Sequence, residues 1–285
     1  MQSLSIPVSK SFSLPAYFWP CEPNTKQGAI LLLHGFTQHG ANYARVAEWF
    51  VARGYDFMVY DHRDHGHSSA RNQVCTLDSV VDDACIVIDF CYEKNNGDKV
   101  LLMGSSMGGA ISLLATQFDE QSIQDKLLGL VLWAPQVVAT KKRRFTFQLL
   151  ELARHLIPNA KLPLSGFMIS NLPRQCDDKA FTDKLAKDKL MLRNPNVSLV
   201  HRVLAMGDRA AQVEFQKPFS LLLLFGGKDS LIFQDDIDTF VSHVEQTKAD
   251  IQYKFYPNNR HMLWADNNRE NLYQDTFDWM RNLTR

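Results

Sequence analysis

Paired cysteines, long apolar runs and an excess of charge of either sign are all missing from this chain of 285 residues. The five cysteines, Cys21, Cys75, Cys85, Cys91 and Cys176, are odd in number and never spaced C-x-x-C. That pattern suggests neither a disulfide framework nor a zinc site, and reduced thiols are the default. Lys and Arg number 31 against 31 Asp and Glu, so the molecule as a whole offers no electrostatic footprint for nucleic acid. No run of about 18 apolar residues occurs, and Met1 to Lys10 lacks a basic region followed by an apolar stretch. The sequence therefore reads as soluble and cytoplasmic, with peripheral membrane contact left open. An apolar share of 45% is enough for one large domain, or a domain with an insertion, to fold around its own core without staples.

What is present is an alternation of short β-rich runs and longer amphipathic segments. Ala29–Leu33, Asp56–Tyr60, Lys99–Met103, Leu128–Trp133, Ser220–Phe225 and Ile251–Phe255 read as strands. Between most of them lie helical patterns, at Ala41–Arg53, Asp78–Glu93, Met107–Gln117, Gln234–Thr247 and Asn268–Asn282. Such alternation predicts an α/β fold with a mostly parallel, doubly wound sheet covered on both faces, and Val8–Trp19 is expected to add antiparallel edge strands. The alternation breaks once, between Trp133 and Pro218. That stretch contains helical patterns, such as Phe145–Ile157 and Asp177–Leu192, but no convincing buried strand. The chain is accordingly divided into a core of residues 1–135 and 218–285 and an inserted helical cap, or lid, of 136–217, placed over the ligand-binding edge of the sheet.

Chemistry enters at Gly104-Ser105-Ser106-Met107-Gly108, directly after an apolar strand. A strand that turns this tightly into a helix pushes its central residue, Ser106, into a strained conformation, and the flanking glycines let the helix pack close. As a bare pattern it arises by chance in about one such chain in ten, so it gains weight only from residues elsewhere in the chain. A serine hydroxyl needs a base within reach, and the base needs an orienting carboxylate. Asp229 follows the strand Leu221–Phe225 across a short turn, and His261 follows Tyr253–Tyr256 across another loop. Alone, the aspartate would read as a helix cap and the histidine as a surface residue. The order Ser, Asp, His is the one expected for triads on doubly wound hydrolase sheets. The oxyanion of the tetrahedral intermediate needs two donors, and the backbone N–H groups of Met107 and Phe36 are the candidates.

The strings His34-Gly35-Phe36 with Gln38-His39 and Tyr43, Tyr60-Asp61-His62-Arg63-Asp64-His65-Gly66-His67-Ser68, and Gly104-Ser105-Ser106-Met107-Gly108-Gly109 together resemble the α/β-hydrolase superfamily. Within it they are similar to the monoacylglycerol lipase and lysophospholipase branch, and Asp229 and His261 match its acid and base. The resemblance implies an α/β-hydrolase fold with a lid over an acyl-binding channel. It also implies serine-ester hydrolysis through an acyl-enzyme, with no metal or organic cofactor. One departure is Asp64, which stands where the family places glycine; if that position has positive φ, Asp tolerates it better than most residues. His62, His65 and His67 beside Asp61 and Asp64 could suggest a metal site, but the whole string fits a structural loop of the family, and no metal is assigned.

Substrate is the open question. Monoacyl lipids, either monoacylglycerols or lysophospholipids, lead; short-chain carboxylesters, thioesters and aminopeptidase substrates are alternatives on the same fold. A non-catalytic ligand-binding protein would show an eroded triad or oxyanion loop, and neither erosion is visible. Dehalogenases and epoxide hydrolases carry Asp at the elbow. Between Gln136 and Ala210 the chain has 14 Lys or Arg against 6 Asp or Glu. Lys141–Arg144 leads into an apolar-sided helix, and three readings compete: a solvated charge run, a contact with anionic headgroups, or attraction of an anionic substrate. Charge alone does not separate them. Candidate lining residues for an acyl channel are Phe36, Phe145, Met168, Leu204 and Leu231. A small acyl ester is the expected partner, nucleic acid is not, and nothing in the sequence reports the oligomeric state.

Overall fold

The computed structural model describes residues 1–68, 75–118, 120–138, 144–163 and 165–284, and their side chains except at 120, 121, 144–148, 165, 167 and 168. Eight strands form one sheet: β1 (Gln2–Ser9), β2 (Phe12–Trp19), β3 (Gly28–Leu33), β4 (Tyr55–Tyr60), β5 (Val100–Ser105), β6 (Leu127–Trp133), β7 (Phe219–Gly226) and β8 (Ala249–Tyr256). Their order is β1-β2-β4-β3-β5-β6-β7-β8, with β3 to β8 parallel and β2 antiparallel to both β1 and β4. Every residue of β4 and β5 is buried, which is why these strands are largely apolar and not alternating; Asp56 of β4 is tolerated because its carboxylate accepts the Cys21 N–H and pairs with Lys26. This is the α/β-hydrolase fold that the sequence led us to expect.

The strand order reverses at β3. The chain steps from β3 to β4 on one side, then crosses over β3 to β5 and proceeds outward on the other. Right-handed crossovers therefore place α1 (Ala44–Val51) on one face and α2 (Leu77–Lys94), α3 (Met107–Ala115) and α9 (Gln234–Val244) on the other. The last helix, α10 (Arg269–Leu283), returns to the face of α1, where Trp49 meets the rings of Tyr273 and Phe277 with centroids 5.6 and 5.9 Å apart. A short α4 (Glu120–Asp125), not foreseen in the sequence, leads into β6. The crevice beyond the carboxyl ends of β3 and β5 is the topological switch point, where ligands of open α/β sheets bind.

The β6–β7 segment carries four helices among its described residues: α5 (Arg144–Leu156), α6 (Ser165–Gln175), α7 (Lys179–Lys187) and α8 (Val197–Ala210). Among its described residues, β pairing is limited to one isolated bridge between Lys161 and Asn196. Three sequence expectations need correction. The edge strands begin at Gln2 and not at Val8, because β1 is polar and mostly exposed, with a burial pattern that carries little apolar signal. The helix expected over Asp177–Leu192 is only Lys179–Lys187. Asp178 caps its start by accepting the Phe181 N–H, and Asp188 ends it in extended backbone with its carboxylate held by His39 and the Leu190 N–H. Helices α6 and α8 were not foreseen; α6 has Pro173 inside it, which masks the helical pattern.

The loop after β4 is fixed by buried electrostatics. Arg63 grips Asp83 of α2 with two bonds, Nε to Oδ2 at 2.5 Å and Nη2 to Oδ1 at 2.8 Å, and its guanidinium also lies over the Phe12 ring of β2 at 4.5 Å. Asp64 occupies the left-handed region with φ 64°, and Arg202 of α8 stands 3.6 Å from its carboxylate. Gly66 is required here: a Cβ would lie 2.2 Å from Asp61 Oδ2. Asp61 in turn accepts the N–H groups of Gly40 at 2.8 Å and His67 at 2.7 Å, binding this loop to the one after β3.

Candidate active site

Ser106 lies between β5 and α3 with φ 53° and ψ −118°, a conformation that costs a non-glycine residue on the order of 1–3 kcal/mol. Neighbouring backbone holds it there. Its N–H donates to Trp133 O at 3.0 Å, and its own carbonyl accepts from Gly109 at 2.9 Å and Gln136 at 2.9 Å. The two glycines have steric reasons. A Cβ on Gly104 would meet Gly108 O and Gly109 Cα at 2.6 Å, and a Cβ on Gly108 would meet Leu33 O at 2.0 Å. Any side chain at either position would push α3 away from β3 and β5, and the elbow could not close.

Asp229 and His261 reach Ser106 from the ends of β7 and β8. His261 Nε2 is 3.0 Å from Ser106 Oγ, and His261 Nδ1 is 2.7 Å from Asp229 Oδ2. The second carboxylate oxygen, Oδ1, accepts the N–H groups of Leu231 at 2.7 Å and Ile232 at 2.9 Å. With both oxygens engaged, Asp229 can only accept from the imidazole. This assigns the proton of the neutral ring to Nδ1 and leaves the lone pair of Nε2 facing the serine hydroxyl. The side chains of His261 and Asp229 are 7% and 1% exposed, so water does little to weaken these bonds.

The loop after β3 lies against the elbow: a Cβ on Gly35 would be 3.2 Å from Ser106 Cβ. Phe36 follows it and shares a cavity with Ser106. Met107 opens α3, where the first N–H groups have no partner within the helix. The loop itself is braced at several points. Gly35 N–H donates to Tyr43 Oη at 3.3 Å, Asn42 Nδ2 to Gln38 Oε1 at 2.9 Å, and the Thr37 carbonyl accepts Leu192 N–H of the β6–β7 segment at 3.1 Å. Beneath it His34 Nε2 accepts the His62 N–H at 3.1 Å, and His62 Nε2–H donates to the His34 carbonyl at 3.2 Å. Burial drives the pKa of His62 down to about 3, holds His34 well below the usual imidazole range and lowers His65, so these rings stay neutral and serve as hydrogen-bonding struts. Among the described residues, no group of three or more His, Cys, Asp or Glu is arranged to hold a metal ion.

A cavity of about 280 Å³ opens over the serine. Of the lining residues expected from sequence, Phe36, Leu204 and Leu231 face it, whereas the side chains of Phe145 and Met168 lie outside the described residues. The basic run at 141–143 lies outside them as well. Sequence reasoning missed Val200 and Val203 of α8, the polar pair Gln38 and Gln175, and Trp264, which also line the cavity. For α8 the signal was available, since Val200, Val203 and Leu204 recur at helical spacing. The glutamines carry no such periodicity.

A sequence profile described as "Serine aminopeptidase, S33" matches residues 24–268. Among curated proteins, the chain is 29% identical to human "Monoglyceride lipase" over 159 residues, or 54% of this chain and 50% of the human one. It is 22% identical to "Monoglyceride lipase" of Saccharomyces cerevisiae over 288 residues, covering 92% of this chain and 88% of the yeast one. The chain thus spans about half the length of the human relative and most of the yeast one. Among solved structures, a soluble variant of the Saccharomyces cerevisiae monoglyceride lipase superposes with a TM-score of 0.82 at 20% identity, covering 99% and 97% of the two chains. The monoacylglycerol lipase of Paleococcus ferrophilus follows the same fold with a TM-score of 0.75 at 18% identity, covering 95% and 99%.

The brace at Tyr43 is open to measurement. Its ring is fully buried and stacks on Trp264 with centroids 4.1 Å apart, so Tyr43→Phe preserves the packing and removes the hydroxyl that accepts the Gly35 N–H and hydrogen-bonds the Ser105 side chain. Urea denaturation should show a loss of about 1–3 kcal/mol. A loss below about 0.5 kcal/mol, the scatter of neutral surface changes, would mean that the phenol does not support the loop.

Proposed function

The chain belongs to the serine aminopeptidase S33 family of hydrolases, and we propose that it is a serine ester hydrolase that cleaves monoacyl lipids through an acyl-enzyme. The observation that carries this reading is the pair of bonds at His261, one to Ser106 Oγ at 3.0 Å and one to Asp229 Oδ2 at 2.7 Å. Ser106 attacks the ester carbonyl while His261 Nε2 takes its proton. Asp229 holds the imidazole tautomer and balances the charge that forms on the ring. The N–H groups of Phe36 and Met107 receive the oxyanion, a stabilisation that removal of one donor commonly reduces by about 2.7–4 kcal/mol. Collapse expels the alcohol with the proton from His261, and water then repeats the sequence on the acyl group. No cofactor takes part in this scheme.

Residues 136–217 act in this reading as a cap over a core of 1–135 and 218–285. Apolar side chains of α8, among them Val200 and Leu204, line the cavity above Ser106 and suit an acyl chain, each buried methylene contributing about 0.8 kcal/mol. The likeness to monoglyceride lipases over most of the chain supports the monoacyl class. The family description favours a second reading, an aminopeptidase. Such an enzyme needs an acid to receive the free amine of its substrate, and among the described residues no Asp or Glu lines the cavity. A fluorophosphonate should label Ser106 in the wild type and not in Ser106→Ala. A series of monoacylglycerols, lysophospholipids, aryl esters and aminoacyl amides should then show turnover rising with acyl length. Well-folded protein that takes no label, or preference for acetyl esters or aminoacyl amides, contradicts the assignment.

Peripheral membrane contact belongs to the same proposal. Leu149, Leu152 and Leu156 lie at helical spacing on α5 and are 53%, 59% and 71% exposed, followed by Ile157 at 54%. No described helix is long and apolar enough to cross a membrane, so this face would lie on the bilayer surface. Vesicles containing anionic lipid should retain the wild type and release Leu152→Glu/Leu156→Glu. Equal retention of both proteins would remove α5 as the contact.

A further inference from the structure

The backbone N–H groups on both sides of His261 are engaged, one by the cap and one by a carboxylate later in the same loop. Met262 N–H donates to Gln175 O at 2.7 Å, and Arg260 N–H donates to Asp266 Oδ2 at 2.7 Å. The other oxygen of Asp266, Oδ1, accepts the N–H of Asp177 at 2.9 Å. Gln175 closes α6 and Asp177 lies in the link before α7, so both neighbours of His261 are tied to one turn of the cap. Asp177 returns the contact: its carboxylate accepts the Asn267 N–H at 2.7 Å, and its carbonyl accepts Asn267 Nδ2–H at 3.2 Å. Asp266 is fully buried within this ring of contacts.

We propose that Asp266 is a positioning residue for His261: its two carboxylate oxygens lock the histidine loop to the cap hinge, so that the imidazole stays on Ser106 while the cap is seated. The proposal rests on the reading of His261 as the general base. Two N–H donors converge on one carboxylate, one to each oxygen, and only the ionised group accepts both equally well. A carboxamide or a protonated acid turns a donor toward one of them. The groups facing Asp266 are Cys176 and Asp177 from the link before α7, Arg260 from the loop, and Arg269 of α10, whose guanidinium bonds the Asp266 carbonyl at 3.0 Å. Burial raises the Asp266 pKa to about 6; Asp177 adds to the rise, and the two N–H groups and Arg260 oppose it. Because the folded-state value is raised, the stability this group contributes is complete below its unfolded value and is lost as pH rises through about 6. At neutral pH the charge therefore works against folding, while a clamp on two donors requires it.

Asp266→Asn and Asp266→Glu in the full chain, assayed on a short aryl ester and a long-chain monoacylglycerol, separate positioning from mere support. In Asp266→Asn, kcat should fall about tenfold at about pH 8 on both esters, with KM for the short ester changed less than about twofold. The ratio of kcat/KM between wild type and Asp266→Asn should then shrink toward one by about pH 5, where the wild-type carboxylate is itself protonated. Asp266→Glu, which keeps the charge, should recover part of the loss. The neutral histidines under the oxyanion loop are common to both proteins and cancel in the ratio. Unchanged kcat, or a ratio constant across pH, would overturn the proposal. Should Asp266→Asn fail to fold, the wild-type acid limb decides: a limb steeper than one proton supports the role, and a one-proton slope throughout overturns it. Retained activity in His261→Ala would overturn the base reading and this proposal together, whereas wild-type kinetics in Asp266→Asn beside an inactive His261→Ala overturns the role of Asp266 alone.

Discussion

The strained backbone of Ser106 is the constraint on which the rest of the structure depends. A serine at φ 53° persists only where its surroundings leave no alternative, and here they do so from three sides. Strand β6 receives its N–H through Trp133, and its carbonyl is shared by the first turn of α3 and by Gln136 at the root of the β6–β7 segment. Gly104 and Gly108 bring α3 so near to β3 and β5 that no side chain fits at either place. The elbow is thus set at the point where strand order reverses, where the loops after β3 and β5 meet. The proposed oxyanion donors and nucleophile come from those two loops, and the proposed acid and base come from the loops after β7 and β8.

Charge around this point is arranged by burial. The Asp229 carboxylate accepts hydrogen bonds from the Leu231 and Ile232 N–H groups and from His261, which compensate its burial. His34, His62 and His65 are kept neutral by desolvation; His34 and His62 bond the loops after β3 and β4 to each other, and His65 bonds Arg63 O within the second loop. His39 and Asp188, 2.7 Å apart, and the bond from Leu192 to Thr37 fasten the proposed cap to the same loop. Asp266 fastens it to the histidine loop. The proposed cap is consequently held at both sides of the cavity by contacts that also fix the candidate catalytic groups.

Much of this was legible in the sequence because it rests on local patterns. The central parallel strands are largely apolar runs and the edge strand β8 alternates, and Ser106, Asp229 and His261 each fall on a loop just past a strand, in an order that such sheets favour. What was not legible depends on partners far along the chain. Strand β1 carries little apolar signal because it is an exposed edge, and the shortening of α7 follows from the bonds that His39 and Leu190 make to Asp188. Asp64, where the resembled family has glycine, does adopt positive φ, but its ion pair with Arg202 of α8 was invisible until the fold brought them together. Nothing in the sequence singles out Asp266; only the convergence of the Arg260 and Asp177 N–H groups on it suggests its proposed role.

The central claim is that Ser106 carries the acyl group between the two halves of the reaction. Intact-protein and peptide mass spectrometry on enzyme quenched during turnover of a slowly deacylating ester tests it directly. A mass increase equal to one acyl group is expected, confined to the peptide containing Ser106 and absent from Ser106→Ala. Steady turnover with no acylated species, or an adduct on another residue that persists in Ser106→Ala, would contradict it.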